Sequence, residues 1–249
     1  MSIVVTALAL WLSAAPDRVK QARQARAEEI REMFAKAGVR QPPQEIYLRI
    51  FKEEGELELW AGDPGRPLAL LRTYRICARS GQLGPKRAQG DGQVPEGFYR
   101  IARFNPTSAF HLSLGLDYPN ASDRARGRGG NLGGDIFIHG GCATIGCIPI
   151  QDAQIEEVYL VALEARAAGQ AEIPVHVFPR RLGQGALEAL GKESGDPALL
   201  AFWKELEPAY QTFEESRRPP RISVAKGGAY LVTPSRAARA PSAPRRTRP

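Results

Sequence analysis

The chain has 249 residues, 43% of them hydrophobic and 24% charged, a balance that excludes a disordered or collagen-like polymer and fits one sizeable domain with appendages. Lys and Arg outnumber Asp and Glu by 34 to 27, but Arg236, Arg239, Arg245, Arg246 and Arg248 all fall in the last fifteen residues, leaving 29 against 27 elsewhere. A nearly neutral body with 8% aromatics and no interleaved basic and aromatic run argues against a nucleic-acid groove.

Residues 1–15 carry no charged side chain and contain an apolar run from Ile3 to Leu12 followed by small residues. This predicts a secretory signal or short anchor, since spanning a bilayer needs about 20 apolar residues; the competing reading is a buried first helix. Residues 16–43 read as an N-terminal helix and linker. Val19, Ala22, Ala25, Ile30, Met33, Phe34 and Ala37 recur at helical spacing before Gly38, and Pro42-Pro43 breaks the chain. The helix is expected to lie outside the main core.

From Glu45 the period becomes two. Ile46, Leu48 and Ile50 alternate with Tyr47, Arg49 and Phe51, and Leu57 and Leu59 alternate with Glu56 and Glu58 across a connection at Gly55. Further strands are expected over 68–77, 98–104, 110–116 and 135–139. A helix is expected over 151–168, with Asp152 as its N-cap and Gly169 as its stop. A short strand follows at 175–178, then an amphipathic helix from Pro197 to Glu215. The expected fold is α+β, mainly β. Residues 44–180 are expected to form the main domain, 181–233 a helical cover, and 234–249 a disordered basic tail. The tail would permit at most peripheral contact with an anionic membrane.

The chemically informative stretch is Asp135 to Ile150, an apolar strand that delivers His139 into a loop with Gly140, Gly141, Cys142, Gly146 and Cys147. A thiol attacks only as thiolate, so a nearby imidazole or helix N-terminus is the usual means of activation. Cys147 has both in prospect. The N–H groups of Gly146 and Cys147 are candidate donors to an oxyanion, and the expected reaction is acyl transfer through a thioester.

Ile138-His139-Gly140 followed by Thr144-Ile145-Gly146-Cys147 resembles the signature of the YkuD-type L,D-transpeptidase catalytic domain. Ser80-Gly81-Gln82-Leu83-Gly84-Pro85-Lys86, Gly90-Asp91-Gly92, Pro95-Glu96-Gly97-Phe98-Tyr99, Tyr118-Pro119-Asn120 and Asp123-Arg124 extend the resemblance to the YafK-like branch over about 45–180. The resemblance implies a β-rich fold and a metal-free, cofactor-free enzyme of the periplasm or cell envelope. Its cysteine would attack the meso-diaminopimelate carbonyl of peptidoglycan stem peptides. Carried over, Cys147 is the nucleophile, His139 the base that becomes the acid, the Gly140 carbonyl the group that orients the imidazole, and Gly146 with Cys147 the oxyanion site. His111, Arg124 and Arg128 are candidate substrate contacts, the two arginines on a mobile loop from Asn120 to Gly134. An amine acceptor gives transpeptidation, and water gives a hydrolase that releases a lipoprotein from peptidoglycan. Three positions depart from the common pattern. Ile145 replaces a His, the loop from His139 to Cys147 is short, and Pro149 stands where an Arg is usual.

Three cysteines in an exported chain leave at least one unpaired, so a Cys77–Cys142 disulfide with Cys147 free is one reading, and two core thiols fit nearly as well. A different class of reading makes the chain a non-catalytic binding module, or a zinc-held domain with His139, Cys142 and Cys147 joined by Cys77 or His111. Lys86, Asp91 and Glu96 read as groups lining the substrate cleft or, more simply, as solvent or turn groups, Asp123 and Asp135 as turn residues, and His176 as structural.

Overall fold

The computed structural model describes residues 17–128 and 130–235. The expected signal or anchor and residues 236–249 of the basic tail lie outside the described residues. The strands are β1 (Glu45–Phe51), β2 (Glu56–Gly62), β3 (Ala69–Arg75), β4 (Gly97–Asn105), β5 (Ser113–Leu116), β6 (Phe137–His139), β7 (Ile148–Pro149) and β8 (Pro174–Phe178). They form one mixed sheet in the order β3-β2-β1-β8-β4-β5-β6-β7. Only β1–β8 and β6–β7 pair in parallel. The helices are α1 (Arg18–Ala37), α2 (Ala121–Arg126), α3 (Asp152–Ala167), α4 (Ala186–Ser194) and α5 (Pro197–Ser216). A separate hairpin pairs β9 (Arg221–Val224) with β10 (Tyr230–Thr233). No helix among the described residues is long and apolar enough to cross a membrane.

Alternation along β1 distributes its side chains to two cores. Ile46, Leu48 and Ile50 pack with Ile155, Val158 and Ala162 of α3. Ala22, Ile30, Met33 and Phe34 of α1 join that same cluster, and Arg26 pairs with Glu156 at 2.8 Å. The N-terminal helix therefore belongs to the main core, because one face of it is apolar enough to cover α3. On the other face Phe51, Phe98 and Phe178 meet Trp203, Leu206 and Tyr210 of α5. Arg49, also on β1, is buried between Glu58 (2.7 Å) and Glu214 (2.6 Å) and lies 4.4 Å over the Phe213 ring, which ties α5 to the sheet.

Several local expectations are corrected. The strand expected from Phe110 begins at Ser113, because His111 adopts φ 67°, a conformation no strand accommodates. The stretch expected to be a mobile loop contains α2, closed by a capping box in which Asn120 and Asp123 each accept the other's backbone N–H. Asp123 is buried, and its carboxyl is raised to about 6, chiefly by that burial. The C-terminal cover includes the β9–β10 hairpin as well as helices. Gln151, not Asp152, caps α3, which frees Asp152 for the site. His176 is buried with Nδ1 2.7 Å from the Tyr47 hydroxyl, and burial lowers its pKa to about 3.

The long connection from β3 to β4 is fixed by two carboxylates. Glu96 is fully buried and receives Lys52 Nζ (3.0 Å), Trp203 Nε1 (2.7 Å) and the Gly84 N–H (2.6 Å). Asp91 accepts from Lys86 Nζ at 2.6 Å and from the N–H groups of Arg87, Ala88 and Gln93. Glu96 is structural because partners distant in sequence enclose it, and Asp91 because it gathers the N–H groups of its own turn. Removing one member of a buried pair strands the other charge, whereas an apolar replacement of both is far milder. Glu96→Ala is therefore expected to lose about 3–5 kcal/mol in urea unfolding, and Lys52→Met with Glu96→Leu to recover most of it. A Glu96→Ala loss below about 1 kcal/mol would remove Glu96 as the anchor of this connection.

Candidate functional site

The short parallel pair β6–β7 assembles the site. Ile138 pairs with Ile148 and His139 with Pro149, so His139 ends one strand while Cys147 immediately precedes the other. Residues 140–147 make the return. Gly146 has φ 133°, and a Cβ there would lie 3.1 Å from the Gln93 carbonyl, so both conformation and space call for glycine. At Gly140 a Cβ would meet Asp152 Oδ1 at 2.5 Å and both His111 Cβ and Phe110 O at 3.0 Å. Asp152, released from capping, accepts the Gly141 N–H at 2.8 Å. Cys142 is disulfide-bonded to Cys77, just beyond β3, which fastens the loop to a second element.

His139 is buried, and its Nδ1 lies 2.5 Å from the Gly140 carbonyl oxygen. A carbonyl only accepts, so Nδ1 carries the proton and Nε2 bears the lone pair. The Phe110 ring packs on the imidazole with centroids 4.7 Å apart. Burial lowers the His139 pKa, and the Gly140 bond partly opposes that shift. Cys147 is half-buried and free; its Sγ accepts from the Phe137 N–H and donates to the Asp135 carbonyl, each at 3.4 Å. Burial also raises its thiol pKa, with the Asp135 carboxylate adding to this and the Phe137 N–H and Lys86 opposing it. Both shifts favour the uncharged forms, a thiol at Cys147 and a neutral imidazole at His139.

Cys147 lines a cleft of about 220 Å³ with Lys52, Ile76, Arg79, Leu83 and Val94. The two expected oxyanion donors part company. The Gly146 N–H is donated to Thr144 Oγ1 at 3.1 Å, while the Thr144 hydroxyl donates to the Cys147 carbonyl at 2.8 Å. The Cys147 amide lies outside the β6–β7 ladder, which begins at Ile148.

The expected substrate contacts are dispersed. His111 sits against Gly140 through its Cβ, but its Nε2 is held by Glu156 at 2.8 Å, beside α3. Arg124 lines a different groove, walled by β9, and donates to the Pro119 carbonyl. Arg128 lines a groove of about 650 Å³ with Arg87, Arg126 and Phe202, and this groove shares Leu83 with the Cys147 cleft. Thr144, Asp152 and Phe110 were not anticipated at the site; the first two offered only a Thr-x-Gly-Cys spacing and an acid after the loop, and Phe110 offered no sequence signal. A zinc site is overturned by the disulfide, which consumes Cys77 and Cys142, and among the described residues no three His, Cys, Asp or Glu side chains gather as metal ligands.

A neutral resting pair has a measurable consequence. Iodoacetamide alkylation of Cys147, followed by intact mass from pH 5 to pH 10, is expected to accelerate through and beyond the ordinary thiol range near about 8.5. A rate already at plateau near about pH 6 would instead mark a thiolate–imidazolium pair.

Residues 49–177 match the family model described as the YkuD L,D-transpeptidase catalytic domain. YafK of Escherichia coli (strain K12), a provisionally named L,D-transpeptidase, is 38% identical over 190 residues, covering 76% of this chain and 74% of that protein. The same figures hold for YafK of Escherichia coli O157:H7. Among solved structures, the helical cell shape determining protein Pgp2 from Campylobacter jejuni aligns at a TM-score of 0.45 and 16% identity, covering 79% of this chain and 80% of that one.

Proposed function

The chain belongs to the YkuD family of L,D-transpeptidase catalytic domains, and from that membership and the geometry of its site we propose that it performs acyl transfer on peptidoglycan stem peptides through a Cys147 thioester. The observation that carries this reading is the imidazole whose Nδ1 is fixed on the Gly140 carbonyl. That bond leaves Nε2 basic, on the strand adjoining a free thiol that lines a cleft.

In the proposed cycle Sγ attacks the meso-diaminopimelate carbonyl carbon while His139 Nε2 takes the thiol proton. The oxyanion is received by the Cys147 N–H; the Gly146 N–H joins it only if it leaves Thr144 Oγ1. The tetrahedral adduct collapses, the C–N bond breaks, and the imidazolium returns its proton to the departing amine. An acceptor amine then loses its proton to Nε2 and attacks the thioester, regenerating the thiol. Arg128 is the stronger candidate for holding a stem-peptide carboxylate, because its groove adjoins the cleft and it has no acidic partner among the described residues. The periplasm or cell envelope is the proposed place of action, reached by export.

Hydrolysis of the same thioester is the second reading, with a peptidoglycan-linked lipoprotein as substrate. It is favoured by Pro149, which stands in β7 where family members usually carry an arginine, and by the partial exposure of Cys147, which gives water access.

Mass spectrometry of tetrapeptide muropeptides, with and without a lipoprotein-derived lysine adduct, separates these outcomes. The native protein is expected to remove D-Ala with formation of dimers or exchanged D-amino acids, and Cys147→Ala to lose at least about a thousandfold of that activity while keeping its fold. Release of the lysine adduct without dimers would establish the hydrolase, and full activity in Cys147→Ala would sink the mechanism.

A further inference from the structure

The family match spans residues 49–177, yet α1, which precedes that span, holds the loop that covers His139. Arg18, at the first position of α1, donates through one guanidinium nitrogen to the carbonyls of Ser108 (2.5 Å) and His111 (2.6 Å). Eight residues on, Arg26 holds Glu156 at 2.8 Å, and Glu156 holds His111 Nε2 at 2.8 Å. The segment caught between these two grips is bent. His111 has φ 67° without being glycine, a conformation that persists only where surrounding contacts impose it. That bend presents the Phe110 ring to His139 at 4.7 Å, inclined by 38°, and sets the Phe110 carbonyl and His111 Cβ against Gly140, the residue whose carbonyl fixes Nδ1. Phe110 is nevertheless 48% exposed. A large apolar side chain left half in water is not explained by core packing, and what its inner face does is keep water off the imidazole.

We propose that α1 is a positioning element of the histidine–cysteine site, in which Arg18 fixes the 108–111 segment so that Phe110 roofs His139 and holds it dry and correctly turned. Arg18 and Phe110 are positioning residues that act through the imidazole. The proposal rests on the reading of His139 as the base. The other titratable groups of this region are Asp152, which holds the Gly141 N–H, His111 with Glu156, and Cys147, which precedes the strand paired with β6. Phe110→Ala and Phe110→Tyr leave the side chains of all of them in place, whereas Arg18→Ala also releases the His111 carbonyl.

The test is imidazole titration by NMR on the full chain without substrate, with His139→Gln supplying the assignment, in the native protein, Phe110→Ala, Phe110→Tyr and Arg18→Ala. Native His139 is expected to titrate below the ordinary imidazole value. Opening the roof should move it upward by about half to one pH unit in both Phe110→Ala and Arg18→Ala, and Phe110→Tyr, which keeps the ring, should stay with the native protein. With muropeptides, both alanine variants are expected to lose about tenfold in kcat with KM little changed. Circular dichroism and thermal melts check folding. Phe110→Ala removes a half-exposed ring and carries the test if Arg18→Ala fails to fold. An unmoved His139 titration in either folded alanine variant overturns the proposal. Because the titration needs no substrate, such a result is distinct from an active Cys147→Ala, which would overturn the assignment of the nucleophile instead.

Discussion

The architecture of the site depends on a parallel strand pair joined by an unusually short return. Parallel neighbours ordinarily need a crossover of about a dozen residues or more, yet β6 and β7 are linked by residues 140–147 alone. The geometry closes because the strands are only three and two residues long, so little distance must be retraced. Gly146 supplies a backbone conformation and a clearance that other residues would not. Carrying the register back by one residue sets Cys147 beside Phe137, two positions from His139, and period-two alternation places the residues that bear the thiol and the imidazole on one face. Loop closure and assembly of the site are thus one structural event. The disulfide at Cys142, the Asp152 bond to Gly141 and the Thr144 bridge to Gly146 each fix a different part of the return.

The walls of the cleft are held by a different kind of force. Glu96 is buried against the Lys52 ammonium at 3.0 Å, and Lys52 itself lines the cleft. Burying charge is costly, and a buried pair roughly offsets that cost without adding much stability. What such pairs supply is direction. Lys52 donates to the carbonyls of Gln82, Gly84 and Val94 as well as pairing with Glu96, so one ammonium group collects the turns of a connection that has little regular structure. The Cys147 cleft takes its shape from that collection, since Leu83 and Val94 line it.

Most of this frame was legible in the sequence because it follows local rules. Although the cap expected at Asp152 fell to Gln151, the period-two runs of β1 and β2 and the helical spacing of α1 can be read without tertiary knowledge. So could α2 have been, since Asn120 and Asp123 have the spacing of a capping box, but the surrounding Gly and Arg suggested a loop. Glu96 was beyond such reading. Pro95-Glu96-Gly97 has the composition of a turn, and only Lys52 and Trp203, brought from far along the chain, make it a core residue. Within the site, the residue types and spacing around His139 and Cys147 pointed to a thiol and a base, whereas the Phe110 roof and the engagement of Gly146 N–H by Thr144 arise from how the return is closed. His111 was misread for the same reason, since its φ is imposed by Arg18 and Glu156 and is encoded nowhere near it.

The neutral resting pair also bears on how acceptors compete in the proposed cycle. Once the leaving amine has taken the proton, His139 is again uncharged, and its lowered pKa keeps it so at neutral pH. An uncharged imidazole can take the proton that water must lose as it attacks. An amine acceptor arrives mostly as ammonium and must shed a proton before it has a lone pair to offer. The site must then remove that proton or select the rare free amine. Arg128, in the adjoining groove, cannot help with this, because a permanently charged guanidinium accepts no proton and would repel the ammonium form. It can hold a carboxylate on the acceptor's far side and so raise the local concentration of the amine near the thioester. In the proposed cycle, partition between transpeptidation and hydrolysis would thus turn on acceptor binding beyond the cleft, since both reactions would share the same thiol and imidazole.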